Sequence, residues 1–238
     1  MNSRARQLKT SGKNKPVNPV LETSGDMISF HAGNFHMLCD ELVKKDPSLA
    51  TIVESYDYPP MWTRPQGFAS LVHIILEQQV SLASARAAFN KLSEKIGEIT
   101  PANLMQLSDE ELRACYFSRQ KMKYVRHLSE MLLSGELQLE QFSRETQDDI
   151  RRKLKSVKGI GDWTVDVYLI FALQRVDIFP IGDLALVQAM KDIKNLPKEI
   201  SRDELITLSV LWSPYRSIAS FLLWHYYLRK KGINIQPA

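Results

Sequence analysis

Apolar residues recur every three to four positions along most of the chain, and no stretch alternates long enough to predict a strand, so the pattern is that of an all-α protein. Phe35, Leu38, Cys39, Leu42 and Val43 share one face of a first helix that Asp46-Pro47 ends, and a second short helix runs up to Tyr58-Pro59-Pro60. A helix over 68–77 breaks at Gln78-Gln79 and resumes over 81–96, where alanines suit close packing and Gly97 stops it. Shorter helices are predicted over 109–116, 120–133 and 144–155. Asp162 is placed to cap the next one, which runs from Trp163 to about 172 and is apolar nearly all round, as a helix at the centre of a fold must be. Pro180 and Gly182 make a return loop, Asp183 starts another helix, and the last long one covers 215–231. Its buried stripe is Ile218, Ala219, Leu222, Leu223 and Tyr226, with Trp224 to one side. There is no internal repeat.

The first 24 residues depart from this pattern. Rich in Lys, Asn, Ser and Pro, they predict a disordered basic tail over 1–24. The tail holds five basic residues against Glu22, and the remainder balances at 26 basic and 26 acidic residues. A sequence pI near 9.0 therefore reports mostly the tail, and any anion site on the body must come from local asymmetry. The densest basic run in the body is Arg113, Arg119, Lys121, Lys123 and Arg126. The longest stretch free of Asp, Glu, Lys and Arg is the 13 residues 27–39, whereas a membrane span needs ~20 apolar residues. No apolar core follows the N-terminal basic residues as a secretory signal requires, so an intracellular chain without membrane association is expected. Two widely spaced cysteines, Cys39 and Cys115, exclude a cysteine-ligated iron–sulfur cluster or four-cysteine zinc site built from this chain alone. The histidines lack metal-ligand spacing, and no Ser/His/Asp set or GK[ST] phosphate loop is present.

Two segments carry candidate chemistry. In Val157-Lys158-Gly159-Ile160-Gly161 two glycines stand where the chain turns tightly between helices, leaving backbone N–H groups at the next helix start free to meet an anion such as a phosphate; an ordinary glycine connection would read the same way. Asp183, after Gly182 and before an apolar helical run, suits an N-cap, a role compatible with chemistry because the helix terminus favours a carboxylate anion. Asp177 and Asp166 are the rival carboxylates, the first in a loop and the second alone within an apolar helix.

The stretch Val157-Lys158-Gly159-Ile160-Gly161-Asp162-Trp163-Thr164, followed by Phe179-Pro180-Ile181-Gly182-Asp183, resembles the helix-hairpin-helix DNA glycosylases, and among them the 3-methyladenine DNA glycosylase II family. A Trp two residues after the second glycine and an Asp twenty beyond it match in order and spacing. The likeness extends to Leu76-Glu77-Gln78-Gln79-Val80-Ser81 and from Trp212-Ser213-Pro214-Tyr215-Arg216-Ser217 to Trp224, covering about residues 35–230.

This resemblance implies two helical lobes, residues 65–182 with the hairpin and residues 25–64 with 183–238, around an active-site cleft. It implies excision of alkylated purines, 3-methyladenine above all, from double-stranded DNA by base flipping, with Asp183 as the catalytic carboxylate opposite an oxocarbenium-like sugar. Relatives that also cut the strand carry Lys where this chain has Trp163, so a monofunctional enzyme using water is implied. Trp163 and Trp224 correspond to pocket aromatics, with Tyr168 and Trp62 as weaker candidates; a cationic base stacks well on such faces. On the residues alone Trp163 is equally a core and a pocket residue, the offset of Trp224 permits a cleft-lining role without requiring it, and Tyr168 and Trp62 read rather as core or surface packing. One departure is Val167, where an aromatic can stand in this family. Gln79 corresponds to the residue that fills the gap left by the flipped base, and Lys158, Gly159 and Gly161 to the DNA backbone contacts. The carbonyls of Lys155, Val157 and Ile160 would hold a structural Na⁺ or K⁺, with no cofactor required. A monomer is expected, in the cytoplasm and nucleoid of a bacterium or the nucleus of a eukaryote. The alternatives are a glycosylase for deaminated or oxidised bases and a non-catalytic helix-hairpin-helix DNA-binding protein, which would need neither Asp183 nor Trp224.

Overall fold

The computed structural model of the protein describes residues 29–233; the tail expected over 1–24 lies outside them. These residues form twelve α-helices: α1 (Phe35–Lys45), α2 (Pro47–Tyr56), α3 (Phe68–Glu77), α4 (Leu82–Ile96), α5 (Pro101–Met105), α6 (Asp109–Ala114), α7 (Arg119–Leu133), α8 (Gln147–Lys155), α9 (Asp162–Phe171), α10 (Leu184–Ile193), α11 (Arg202–Ser209) and α12 (Arg216–Lys230). Among the described residues the only extended pairing is an isolated bridge between Ser29 and Arg175. Helix starts are set by short polar side chains: Ser81, Ser108, Ser118, Thr146 and Ser201 each accept the backbone N–H three residues ahead.

Burial divides the helices into two neighbourhoods. α12 packs on α1, α2 and α10, while α3 packs on α4, α7 and α9, with α8 against α9 and α5 against α7. A continuous apolar core runs through both. They meet around the end of α9, where Arg64 N–H donates to Phe171 O (2.8 Å) and Ser217 N–H to Val176 O (2.9 Å). α9 is buried along its whole length from Thr164 to Ile170, as its all-round apolar pattern predicts. None of the described helices is long and apolar enough to cross a membrane.

Several boundaries differ from the sequence expectation. Asp162 is not the cap of α9: Gly161 holds the N-cap position, and the Asp162 carboxylate, one residue inside, turns back to Lys155 (2.9 Å). α6 stops at Ala114 because Tyr116 takes φ +64°. α8 starts at Gln147, after a 3-10 turn over Leu139–Arg144. α5 and α11 were not expected, although Ser201-Arg202-Asp203-Glu204 carries a capping-box signature that the structure forms.

The tie between α1–α2 and α10 rests on Asp46. Its carboxylate, almost wholly buried, accepts Ser48 N–H (3.1 Å), Trp212 Nε1–H (2.8 Å) and the Lys194 ammonium (2.6 Å). Burial alone would raise its pKa, but the bonds from Lys194, Ser48 and Trp212 outweigh it and hold the group below the ordinary carboxylate value. A depressed folded-state pKa means that the stabilisation is present above the unfolded value, near 4, and is lost as pH falls through the folded one. Asp46→Ala should lower unfolding free energy in urea by about 3 kcal/mol at neutral pH, because it strands a half-buried ammonium and an indole N–H. The difference from the parent protein should shrink on acidification below about pH 4.

Candidate active site

Asp183 ends the 178–182 loop and caps α10. Oδ1 accepts Leu186 N–H (2.9 Å) and Trp224 Nε1–H (3.1 Å), and Oδ2 accepts Trp163 Nε1–H (2.9 Å). The carboxylate thus gathers a backbone donor from its own helix, an indole from α9 and an indole from α12, which fixes its orientation. Loop and α9 approach closely: a Cβ at Gly182 would stand 3.4 Å from Trp163 Cβ. Leu184, the next residue, is 85% exposed.

Both indole edges are spent on Asp183; Trp163 is half-buried, whereas Trp224, expected to line an open pocket, is buried. Trp224 stacks on Phe171 (centroids 5.2 Å, 28°) and meets Phe221 edge-on (6.1 Å, 76°). Trp62 stacks against Phe221 (5.7 Å, 11°), one ring removed from Trp224. The Arg64 guanidinium lies 5.5 Å from the Phe171 centroid and grips Glu77 with two bonds (2.6 and 3.0 Å). Val167 is buried, and the aromatic wall comes from Phe171, one turn further along α9, and Phe221. Tyr168, a weaker pocket candidate, takes the packing role instead. Its ring is fully buried against Phe142 and its hydroxyl accepts Gly67 N–H (3.1 Å), with burial pushing its pKa up, so it belongs to the core and not to an open pocket.

The hairpin between α8 and α9 is held from below by α7. Gly159 sits at φ +85°, and a Cβ there would overlap the Tyr124 ring, whose hydroxyl is itself bonded by Gln120. Lys158 N–H donates to His127 Nδ1 (3.0 Å). Gly161 has φ −107° and nothing within 4 Å of where a Cβ would stand, so no internal contact demands glycine there. Lys158 is exposed, whereas the Lys155 ammonium is paired with Asp162. The Val157 carbonyl accepts Ile160 N–H (3.1 Å); those of Lys155 and Ile160 accept no backbone N–H among the described residues. Gln79, exposed at φ +57°, stands in the turn between α3 and α4 beside the exposed Val80 and Leu82.

Of the basic run, Arg113, Arg119, Lys123 and Arg126 line a hollow of about 230 Å³ with Met122 and Asp109, and Arg126 pairs with Asp109 (2.8 Å). Lys121 turns inward instead: its ammonium caps α3 at Leu76 O (2.6 Å), and burial lowers its pKa. The rival carboxylates have structural partners. Asp166 is bound to Arg151 (2.6 Å), with burial raising its pKa despite that bond. Asp177 is bound to Arg216 (2.7 Å) and Ser213 (3.0 Å); burial raises its pKa less than these bonds lower it. Both pairs line a separate hollow of about 270 Å³.

A central helix buried all round, a glycine hairpin at its start and a carboxylate between two tryptophans at the junction of two helical groups define a protein of the helix-hairpin-helix repair fold. Residues 72–214 match the family described as HhH-GPD superfamily base excision DNA repair protein, and the chain belongs to that family. It is 30% identical over 185 residues to YfjP of Bacillus subtilis, covering 74% of this chain and 64% of that protein. The crystal structure of a DNA-3-methyladenine glycosidase from Bacillus halodurans superposes with TM-score 0.69 at 29% identity, over 82% of this chain and 91% of that one. A Schizosaccharomyces pombe 3-methyladenine DNA glycosylase in complex with abasic DNA superposes with TM-score 0.71 at 27% identity, over 80% and 95%.

Proposed function

We propose that this protein is a monofunctional DNA glycosylase that removes alkylated purines of the 3-methyladenine type from duplex DNA by base flipping and leaves an abasic site. The observation that carries this reading is the Asp183 carboxylate held by both indoles at once. Breaking an N-glycosidic bond leaves positive charge on the sugar, and a fixed anion beneath that sugar stabilises it without reorganising. The leaving base would stand against the half-buried Trp163 ring, whose edge is already engaged, a face suited to a flat base that is cationic before it leaves. Water takes the place of the base. Among the described residues no lysine bonds to Asp183, Trp163 or Trp224; of the two that precede Trp163 most closely, Lys155 is engaged by Asp162 and Lys158 is exposed on the hairpin turn. Both neighbourhoods of helices supply groups to the site from a single chain, which supports a monomer, and a DNA substrate puts the protein inside the cell.

The Lys158 side chain, the N–H groups of Gly159 and Gly161 and the open space at Gly161 suit a DNA phosphate. The carbonyls of Lys155, Val157 and Ile160 fit a monovalent cation, since two of them lack a backbone donor. Such an ion would add positive charge next to that phosphate. The exposed Gln79 would fill the space left by the flipped base.

The reading is tested by incubating the protein with duplexes that each carry one lesion, alkylated, deaminated or oxidised, in the presence and absence of borohydride. Alkali-dependent cleavage at the alkylated purines, with no trapped protein–DNA adduct, is the expected result. A lysine-dependent adduct would overturn the monofunctional assignment, and excision confined to deaminated or oxidised bases the substrate. Trp163→Phe and Trp224→Phe keep an aromatic face but each withdraw one N–H from the carboxylate. Each should slow single-turnover excision by about tenfold, the size of one hydrogen bond to a charged group, with DNA affinity nearly unchanged.

A further inference from the structure

Gln78 directly precedes the exposed Gln79, yet its own side chain points inward. Its carboxamide Nε2 donates to Gly159 O (3.0 Å) in the hairpin and to Thr164 Oγ1 (3.0 Å) on α9, so each of its two N–H bonds has an acceptor. Thr164 is buried and adjoins Trp163. Gly159 is the residue wedged on Tyr124, next to the Lys158 N–H held by His127. One amide group therefore joins the turn carrying Gln79, the hairpin and the helix that supplies half of the Asp183 clasp. The neighbouring residues are tied elsewhere: Leu76 O to Lys121 on α7, and Glu77 to Arg64, which lies on Phe171. Three consecutive residues, 76, 77 and 78, are each fastened to a different part of the molecule, and Gln79 follows at a positive φ that only a rigid setting maintains.

We propose that Gln78 is a positioning residue that couples the duplex-opening turn to the hairpin and to the Trp163 helix, so that Gln79 enters the base stack in register with the phosphate grip and the pocket. This rests on the glycosylase reading above and adds a specific dependence to it. Register between wedge and hairpin matters in proportion to the work of extruding the base, and a mispaired base is easier to extrude than a well-paired one. A residue that only stabilised the fold would affect both alike.

The experiment measures single-turnover excision of 7-methylguanine opposite cytosine and opposite thymine by the full chain. The variants are Gln78→Met, which keeps the length and removes both donors, Gln78→Glu, which sets an anion against the Gly159 carbonyl, and Thr164→Val, which removes one acceptor. Thermal midpoints are recorded for each. The ratio of paired to mispaired rate should fall by about tenfold in Gln78→Met, the loss of one to two neutral hydrogen bonds, more in Gln78→Glu, and about threefold in Thr164→Val. The mispaired rate should stay within about threefold of the parent protein's. Equal losses on both duplexes, or no loss on either, would overturn the coupling role while leaving the glycosylase reading intact. If both Gln78 variants fail to fold, an unchanged ratio in Thr164→Val decides against it. Absence of excision by the parent protein from both duplexes and from every lesion of the panel above would instead remove the glycosylase reading, and this inference with it.

Discussion

Replacing Asp183 by Asn is expected to reduce single-turnover excision by at least ~10²-fold while leaving lesion-DNA affinity close to that of the parent protein. Asparagine is as good an N-cap as aspartate, and its carbonyl oxygen can still accept Leu186 N–H, so α10 should start where it does now and stability should change by less than about 1 kcal/mol. What disappears is the charge. The amide also sets an N–H₂ group against an indole N–H, whichever way it is turned, because each of the two carboxylate oxygens now accepts an indole. A well-folded protein that binds DNA and does not excise is therefore the signature of this substitution. Near-normal excision would move catalysis to another carboxylate, with Asp166 and Asp177 tested next, although both are committed to arginines.

The two hairpin glycines should respond to alanine for opposite reasons. At Gly159 a side chain meets φ +85° and the Tyr124 ring together. The backbone conformation alone costs about 1–2 kcal/mol and overpacking adds about 1–3 kcal/mol, so Gly159→Ala should lower stability and weaken DNA binding by tenfold or more. Adding Tyr124→Ala to that chain should recover part of the loss, since it removes the overlap but not the strain. Gly161→Ala faces neither obstacle, having φ −107° and open space around the new methyl group. Its thermal midpoint should fall only slightly, by the roughly 0.5–1 kcal/mol that alanine loses to glycine at an N-cap, and its DNA affinity should fall further, because the methyl group would occupy the room a phosphate needs. Titration of undamaged duplex alongside thermal melts separates the two cases. Full affinity in Gly161→Ala would mean that no ligand backbone comes close at that point.

Much of this protein was legible in the sequence because it is local. Serine and threonine caps, proline and glycine stops and the 3.6-residue period lie within a few positions of what they control, so the break at Gln78-Gln79, the start of α10 at Asp183 and the buried character of α9 follow from neighbours along the chain. The resemblance carried in short motifs reached the family that residues 72–214 match. The sequence is less informative where a nearby charge competes for a capping side chain, as Lys155 does for Asp162.

What the sequence by itself determined is most of the helical segments, with α5 and α11 the exceptions, and that a carboxylate, a glycine hairpin and several tryptophans had to be explained. Which side chains meet was decided only by the tertiary structure. A helix that is apolar on every side has no amphipathic phase, so the period of α9 cannot tell that Trp163 turns to Asp183 while Tyr168 turns into the core against Phe142. Nor can it tell that Phe171 stacks on Trp224 where an aromatic at 167 is missing. Trp224 lies 41 residues from Asp183, Gln78 lies 81 from Gly159, and His127 lies 31 from Lys158. Contacts at such separations depend on how helices pack against one another, an outcome of the whole core at once, and no local run of residues encodes it.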